Sequence, residues 1–190
     1  MPEYVCRLCP RQCGALRTEE KGEGFCAMPA LPVIARAGLH HWEEPCISGA
    51  RGAGTVFFSG CVLGCVYCQN GSISRERFGR AVSAERLREI FEELVAQGAH
   101  NIDLVSPTPY VPAILEALEE PLPVPVVWNT GGYERVETLR RLKGKVQVWL
   151  PDMKYADSAL AAKYSGAADY FETASAAIRE MVQIGRRGTT

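Results

Sequence analysis

Residues 55–70 read TVFFSGCVLGCVYCQN, in which an apolar run leads directly into three closely spaced cysteines. The run at 55–59 predicts a short buried strand, because it is apolar and is followed by a glycine. Cys61, Cys65 and Cys68 come next, with the spacing C-x3-C-x2-C. A loop that follows a strand directly lies at the carboxyl edge of a parallel sheet, where α/β proteins place their active sites. The stretch therefore predicts a strand followed by a metal or redox site.

The chain after this loop alternates between strand-like and helix-like patterns. Ser83 is a suitable helix cap, and apolar residues then recur at helical spacing from Leu87 to Val95. Further strand-like runs, each followed by a helix-like run, lie at 101–106, 124–130 and 145–154. Such alternation predicts an α/β fold with a parallel sheet and right-handed crossovers. A closed eight-unit barrel needs about 250 residues, so the pattern indicates a partial (β/α) barrel or an open sheet.

Composition divides the chain into three parts. Residues 1–54 are rich in Cys, Gly and Pro and lack sustained periodicity, so we expect loops folded around something other than a large core. Residues 55–185 contain the alternating strands and helices. The polar residues 186–190 are expected to form a frayed tail.

Charge and composition exclude several functions. The formal net charge is −1, so we expect neither nucleic acid nor an anionic membrane surface as a partner. No apolar stretch approaches the length of a membrane span, and the first residues lack the regions of a signal peptide. We therefore expect a cytoplasmic protein, whose eight cysteines serve metal or redox chemistry rather than disulfides.

The spacing of Cys61, Cys65 and Cys68 favours an iron–sulfur cluster over zinc. Each thiolate can bind one iron of a cubane cluster, and three thiolates leave one iron open. Zinc sites usually draw their ligands from two separated pairs, which this spacing does not provide. Gly60 and Gly64 allow the backbone to bend tightly beside a cluster. The alternative is a zinc site completed by a distant Cys or His.

This stretch resembles a known family. C-x3-C-x2-C with an aromatic residue, Tyr67, before the last cysteine resembles the radical S-adenosylmethionine (SAM) superfamily. The string TVFFSGCVLGCVYCQN is similar to the branch of glycyl-radical-enzyme activases, the relatives of pyruvate formate-lyase activating enzyme. The upstream strings CRLCPRQCG, GEGFC and HHWEEPCISG resemble one subgroup of that branch. The resemblance implies a partial (β/α) barrel with about four of the usual six units, and it places Tyr67 beside the cofactor.

The resemblance also implies a mechanism. A 4Fe–4S cluster bound by Cys61, Cys65 and Cys68 would bind the amino and carboxylate groups of SAM at its open iron. One electron would then cleave SAM to methionine and a 5′-deoxyadenosyl radical, which abstracts hydrogen from the substrate. An electron donor such as flavodoxin or ferredoxin is implied. The substrate would include a glycine of a partner enzyme.

Polar residues at the other strand ends are candidates for binding SAM. Ser106 and Thr108 follow the second strand, where the family receives the SAM amino group with a Gly-Gly-Glu turn that is absent here. Asn129 ends the third strand, and a polar turn that caps the next helix is the alternative. Asp152 and Lys154 resemble the D-x-K motif that positions SAM, with Lys154 available for its carboxylate. The alternative for this pair is an exposed ion pair.

The amino-terminal cysteines form a second group with the spacing C-x2-C-x3-C-x12-C, namely Cys6, Cys9, Cys13 and Cys26. Four thiolates in a loop-rich segment can form a zinc site or a second iron–sulfur cluster, either of which would stabilise the fold. Nearby arginines, Arg7, Arg11 and Arg17, would offset the thiolate charge. Cys46 is expected to replace one of the four or to be a buried free thiol.

Two other functions remain open from the sequence. One is a non-catalytic iron–sulfur or zinc protein that acts as a scaffold or electron carrier. The other follows from the resemblance: a chain with four of six units would be a truncated form that binds a cluster without catalysing the reaction.

Overall fold

The computed structural model of the chain describes residues 3–187, which centre on a six-stranded sheet. The strands are β1 (Tyr4–Val5), β2 (Leu16–Arg17), β3 (Val33–His40), β4 (Ala53–Phe58), β5 (Arg80–Ala81), β6 (Ile102–Val105), β7 (Val126–Thr130) and β8 (Val148–Pro151). The α-helices are α1 (Pro45–Ser48), α2 (Gly71–Ser74), α3 (Ala84–Ala96), α4 (Val111–Ala117), α5 (Val136–Arg141), α6 (Ser158–Ser165) and α7 (Tyr170–Arg187). A 3₁₀ turn at Thr108–Tyr110 precedes α4.

The sheet has the order β5-β3-β4-β6-β7-β8 and is mostly parallel. Strands β4, β6, β7 and β8 are parallel, with Thr55 opposite Asp103 and Trp128 opposite Trp149. These four strands are the ones that the sequence predicts, and the α/β class is confirmed. Because they point the same way, the loops after them meet at one edge of the sheet.

Helix α3 forms where the sequence predicts it, from a capping serine and a helical apolar pattern. Helix α3 begins after Ser83, whose hydroxyl accepts a hydrogen bond from the Arg86 backbone N–H at 3.1 Å. Its Leu87, Phe91 and Leu94 are buried against the sheet. No helix within residues 3–187 combines the length and the apolar character needed to cross a membrane.

The two faces of the sheet differ because strand side chains alternate. Val56, Leu104 and Trp128 face the main apolar core beneath α3 and α4. Ala53 and Val127 lie in a separate, smaller cluster with Ile47 of α1. Polar residues of β4, β6 and β7 are interspersed among them.

The amino-terminal segment is more ordered than the sequence predicts. Strand β3 is eight residues long and pairs antiparallel with β4 and β5, whereas loops were expected throughout 1–54. The sequence VIARAGLH conceals this strand, since its alanines and glycine interrupt the alternation that identifies strands. The division of the chain at residue 54 stays a prediction, although hydrogen bonds between β3 and β4 cross it.

The carboxyl end also departs from expectation. Helix α7 extends to Arg187, so residues 186 and 187, the first two of the expected tail, are helical. Met181 and Ile184 on this helix are buried in one cluster with Leu139 of α5, which anchors the last turns of α7. Residues 188–190 lie outside the described part of the chain.

Candidate active site

The loop that contains Cys61, Cys65 and Cys68 leaves the carboxyl end of β4. Cys65 is buried, and the other two cysteines are partly exposed. Gly60 begins the loop with φ +78°, and a side chain there would fall 2.2 Å from Met28 Cγ. A glycine is therefore required for the chain to turn sharply against Met28.

The protein surrounds these thiols with hydrogen-bond donors. Burial raises the pKa of Cys61, and the backbone N–H groups of Gly64 and Leu63 act against it by stabilising the thiolate. Ser165 Oγ donates to Cys65 Sγ at 3.1 Å. Donors directed at sulfur favour the anionic form that binds iron.

Arg11 fixes the loop to two other parts of the chain. Its Nε and Nη2 donate to the carbonyl oxygens of Val62 and Leu63 at 3.0 and 3.1 Å. The same guanidinium donates to the carbonyl oxygens of Ser165 and Gly166 at 2.6 and 2.5 Å. The amino-terminal segment, the cysteine loop and the end of α6 are therefore held together by one side chain.

A small cavity opens beside Cys61 at the ends of β4, β6 and β7. It is lined by Cys61, Val62, Leu63, Ser106, Thr108, Thr130, Gly131 and Tyr133. The structure thus brings Ser106 and Thr108 to the same cavity as Cys61. Ser106 adopts a positive φ of 56°, which is unusual for a serine and marks a constrained turn at the cavity wall.

Glu134 is a residue that the sequence analysis did not single out. It is buried, and its Oε1 accepts hydrogen bonds from Thr108 Oγ1 at 2.5 Å, Thr130 Oγ1 at 2.6 Å and Trp128 Nε1 at 3.4 Å. Burial raises the pKa of Glu134, and these donors oppose the change. A glutamate two positions after Gly132, in the turn that follows β7, is the signal that could have identified it.

This network changes what Thr108 can do. The Thr108 hydroxyl donates its hydrogen bond to Glu134, so this hydroxyl is not free to donate to a ligand. The bond ties the end of β6 to the turn after β7. Thr108 is therefore placed to shape the cavity wall.

Asn129 lies away from the cavity. Its Nδ2 donates to Glu43 Oε2 at 3.3 Å, beside Asp103, which accepts from Thr55 Oγ1 at 3.4 Å. The reason is the strand alternation, which turns Trp128 and Thr130 to one face of β7 and Asn129 to the other. The Asn129 side chain therefore does not join Ser106 and Thr108 at the cavity, although its backbone carbonyl oxygen accepts a hydrogen bond from the Ser106 N–H at 2.9 Å.

Asp152 and Lys154 form an ion pair after β8, with Lys154 Nζ 2.5 Å from Asp152 Oδ2. Burial alone would lower the pKa of Lys154, but the carboxylate of Asp152 and the nearby Cys65 raise it overall. The Lys154 side chain approaches Gly131, where its Cε would lie 3.8 Å from an added Cβ. The ammonium group is therefore close to both the cavity and the cysteine loop.

Tyr67 belongs to an aromatic group next to the loop. Its ring is 54% exposed and meets the rings of Tyr155 and Tyr164 edge-on, with centroids 6.2 and 6.0 Å apart. Tyr155 in turn lies against Tyr170 at 5.2 Å. One side of the loop is thus packed on aromatic rings, and the other remains accessible.

The family model of the radical SAM superfamily matches residues 55–190. The chain belongs to the radical SAM superfamily. It is also 31% identical over 176 residues to a curated relative, "Uncharacterized protein MJ0674" of Methanocaldococcus jannaschii. That alignment covers 88% of this chain and 50% of the relative, so the chain spans about half the length of the curated relative that it matches.

Membership of the radical SAM superfamily implies a 4Fe–4S cluster and SAM as cofactors, and the residues present fit both. Three thiols follow a parallel strand, with hydrogen-bond donors at their sulfur atoms and a cationic side chain nearby. Thiolates are the ligands of iron–sulfur clusters. The donor set therefore suits the cluster.

Zinc receives no support. Within residues 3–187, no group of three or more His, Cys, Asp or Glu side chains is arranged to hold a single metal ion. A cubane cluster makes a different demand, because each of its thiolates binds a separate iron atom.

The amino-terminal cysteines come together, outside the part matched by the radical SAM model. Cys6, Cys9, Cys13 and Cys26 all line one cavity, in which Arg17 also lies. Cys46 is absent from this lining and is exposed on α1. The expectation of a buried thiol is therefore wrong, because α1 holds Cys46 at the surface, and Cys46 does not take the place of any of the four cysteines that line the cavity.

Proposed function

We propose that this chain performs reductive cleavage of SAM at a 4Fe–4S cluster bound by Cys61, Cys65 and Cys68. The observation that carries the proposal is the position of these thiols, at the carboxyl edge of four parallel strands and beside one cavity. When bound, the cluster supplies the electron that splits SAM into methionine and a 5′-deoxyadenosyl radical, which abstracts a hydrogen atom from the substrate.

The side chains around the cavity take distinct roles in this proposal. Lys154 binds the carboxylate of SAM, because its side chain lies beside Gly131, which lines the cavity. Ser106 provides polar contacts at the opposite wall. Glu134 keeps the two strand ends in place through Thr108 and Thr130. Asp152 holds the lysine in position through the ion pair.

The finer parts of the proposal rest on the resemblance to the activases. We infer a partial (β/α) barrel, a substrate that includes a glycine of a partner enzyme, and a flavodoxin or ferredoxin as electron donor. The D-x-K sequence at Asp152 and Lys154 supports this branch of the family. The eight free thiols suit the reducing cytoplasm in which such chemistry takes place.

Anaerobic reconstitution tests the proposal. The full chain is loaded with iron and sulfide, reduced, mixed with SAM and assayed for 5′-deoxyadenosine. We expect product from the wild-type chain and none from a Cys61→Ala/Cys65→Ala/Cys68→Ala variant. Cys46→Ser is the matched control, because its thiol is exposed on α1, and it should retain activity.

Two outcomes would contradict the proposal. A cluster that forms without product, and whose EPR signal does not respond to SAM, would indicate an electron carrier. Product that persists in the triple variant would assign the reaction to other residues.

A further inference from the structure

Arg17 is a buried cation in the amino-terminal segment. Only 1% of the residue is exposed, and its Nε donates to the Met28 carbonyl oxygen at 2.9 Å. Nη2 donates to the carbonyl oxygen of Pro29 at 2.5 Å, and Nη1 contacts Tyr4 Oη and the Pro109 carbonyl oxygen. These groups are neutral, and no carboxylate of residues 3–187 forms an ion pair with Arg17. A buried charge without a counterion destabilises a protein strongly.

The nearest candidates for a counterion are thiols. Cys6 Sγ lies 3.9 Å from Arg17 Nη1. The cavity around them is lined by all four amino-terminal cysteines, with apolar neighbours that include Leu8, Phe25 and Val62. Cys6 and Cys9 are buried. Four sulfur atoms and one buried guanidinium therefore share a largely apolar space.

Binding of a metal to these cysteines would remove the protons of their thiols and leave an anionic centre. Such a centre would place negative charge in the cavity that Arg17 lines.

We propose that Cys6, Cys9, Cys13 and Cys26 bind a second iron–sulfur cluster, whose negative charge is balanced by the buried guanidinium of Arg17. The four cysteines line one cavity, and within residues 3–187 no group of three or more His, Cys, Asp or Glu side chains is arranged to hold a single metal ion. A 4Fe–4S cluster with four thiolates has a net negative charge in both of its usual oxidation states. This site uses none of the residues that bind the SAM cluster.

The backbone around the cavity is built for close approach to the sulfur atoms. A side chain at Gly24 would fall 2.6 Å from Cys13 Sγ. The Cys6 backbone N–H donates to the Ala15 carbonyl oxygen at 2.8 Å, and the Gln12 N–H donates to the Cys9 carbonyl oxygen at 3.1 Å. These bonds hold the first cysteines in tight turns. The cluster would add folding energy to this segment.

The test uses the full chain with the Cys61→Ala/Cys65→Ala/Cys68→Ala substitutions, which separate this site from the SAM cluster. After anaerobic purification and reconstitution, iron, sulfide and zinc are counted per chain. We expect about four irons in the triple variant and about eight in the wild type, as two 4Fe–4S clusters require. The EPR signal of the reduced triple variant should not change when SAM is added.

Substitutions within the site sharpen the result. Adding Cys9→Ser to the triple variant should remove its remaining iron, whereas adding Cys46→Ser should not. Arg17→Gln should make the midpoint potential of the remaining cluster more negative, because a positive charge beside it is lost, and Arg17→Lys should restore most of the difference. A merely structural arginine would leave the potential of any retained cluster unchanged.

Two results would overturn the assignment of a second iron–sulfur cluster. Zinc without iron in the triple variant would overturn the iron–sulfur assignment. A triple variant with no metal, beside a wild type with about four irons, would show that only the SAM cluster exists. If the Cys9 variant does not fold, the iron count of the wild type and the metal content of the triple variant still show whether the second cluster exists. Loss of SAM cleavage alone would not contradict the second cluster, because that proposal is tested by metal content and not by SAM cleavage.

Discussion

Ser165 Oγ lies 3.1 Å from Cys65 Sγ, although the two residues are 100 positions apart in the chain. Ser165 is the last residue of α6, and its hydroxyl also lies 2.6 Å from Tyr155 Oη. The three side chains form a buried chain of hydrogen bonds that ends on the sulfur. Helix α6 therefore contributes a polar contact to a loop that follows β4.

We predict that Ser165→Ala makes the midpoint potential of the SAM cluster more negative. A hydrogen bond to a cluster thiolate stabilises the reduced state, which has the larger negative charge. Its loss should shift the potential by about 60 mV, which is a tenfold change in the equilibrium constant of a one-electron couple. An EPR-monitored redox titration measures the shift.

Ser158→Ala is the control for this experiment, since Ser158 is exposed at the other end of the same helix. It should leave the potential unchanged. A Ser165→Ala cluster with the wild-type potential would mean that the hydroxyl contact has no influence on the cluster.

We predict that Arg11→Ala destabilises the chain and weakens retention of the SAM cluster. Four hydrogen bonds to carbonyl oxygens are lost, and they connect the cysteine loop to the end of α6. Because Arg11 is partly exposed, water replaces some of them, and we expect a loss of about 2 kcal/mol in the free energy of unfolding. Denaturant titration measures this loss, and iron release to a chelator measures retention.

Arg7→Ala removes the same charge from an exposed neighbouring position and should have little effect on either measurement. Equal loss of iron in the two variants would show that charge near the loop matters and that the bonds of Arg11 do not.

The strands of the parallel sheet were predictable because each has a strong local pattern. An apolar run followed by a helix-like run identifies β4, β6, β7 and β8 without any knowledge of distant contacts. Strand β3 has no such pattern, and its pairing with β4 depends on tertiary structure. Local signals therefore predicted the four parallel strands and missed the antiparallel strands β3 and β5 at their side.

The site was predictable where chemistry depends on spacing and unpredictable where it depends on distant contacts. The thiols of the loop follow from their spacing alone. The sequence analysis assigned Arg11 only a general role in offsetting charge. In the structure its guanidinium donates to the carbonyl oxygens of Ser165 and Gly166, at the end of α6. Thr108 was expected to face a ligand, but its hydroxyl donates a hydrogen bond to Glu134, which lies in the turn after the next strand.

We predict that Lys154→Met weakens the binding of SAM about tenfold, which corresponds to about 1.4 kcal/mol. The substitution keeps the length of the side chain and removes the ammonium group that meets the carboxylate. Titration of SAM into the reduced protein, followed by the change in the EPR signal, measures the affinity. Lys154→Arg should retain part of it.

Lys163→Met tests whether any exposed lysine nearby has the same effect. Lys163 lies over the Tyr164 ring at 5.2 Å, outside the cavity, so its loss should leave the affinity unchanged. Wild-type affinity in Lys154→Met would remove this lysine from the site.

We predict that the stability of the chain falls as the pH rises from about 4 to about 7, because of the carboxyl pair Asp103 and Glu43. Burial raises the pKa of Asp103 to about 6 and that of Glu43 to about 7, where the neighbouring carboxyl adds to the effect. The unfolded values are about 3.9 and 4.3. The folded chain therefore holds protons that the unfolded chain releases, and this stabilisation is complete below pH 4.

The expected decrease in the free energy of unfolding is about 2 kcal/mol over this range, mostly from Asp103, because Glu43 is more open to solvent. Denaturant titrations at several pH values measure it. Asp103→Asn should reduce the slope and raise stability at pH 8, since a neutral amide replaces the buried carboxyl. Glu134 has a raised pKa and acts in the same direction, so part of the slope should remain. A slope that is unchanged in Asp103→Asn would show that Asp103 is ionised in the folded chain.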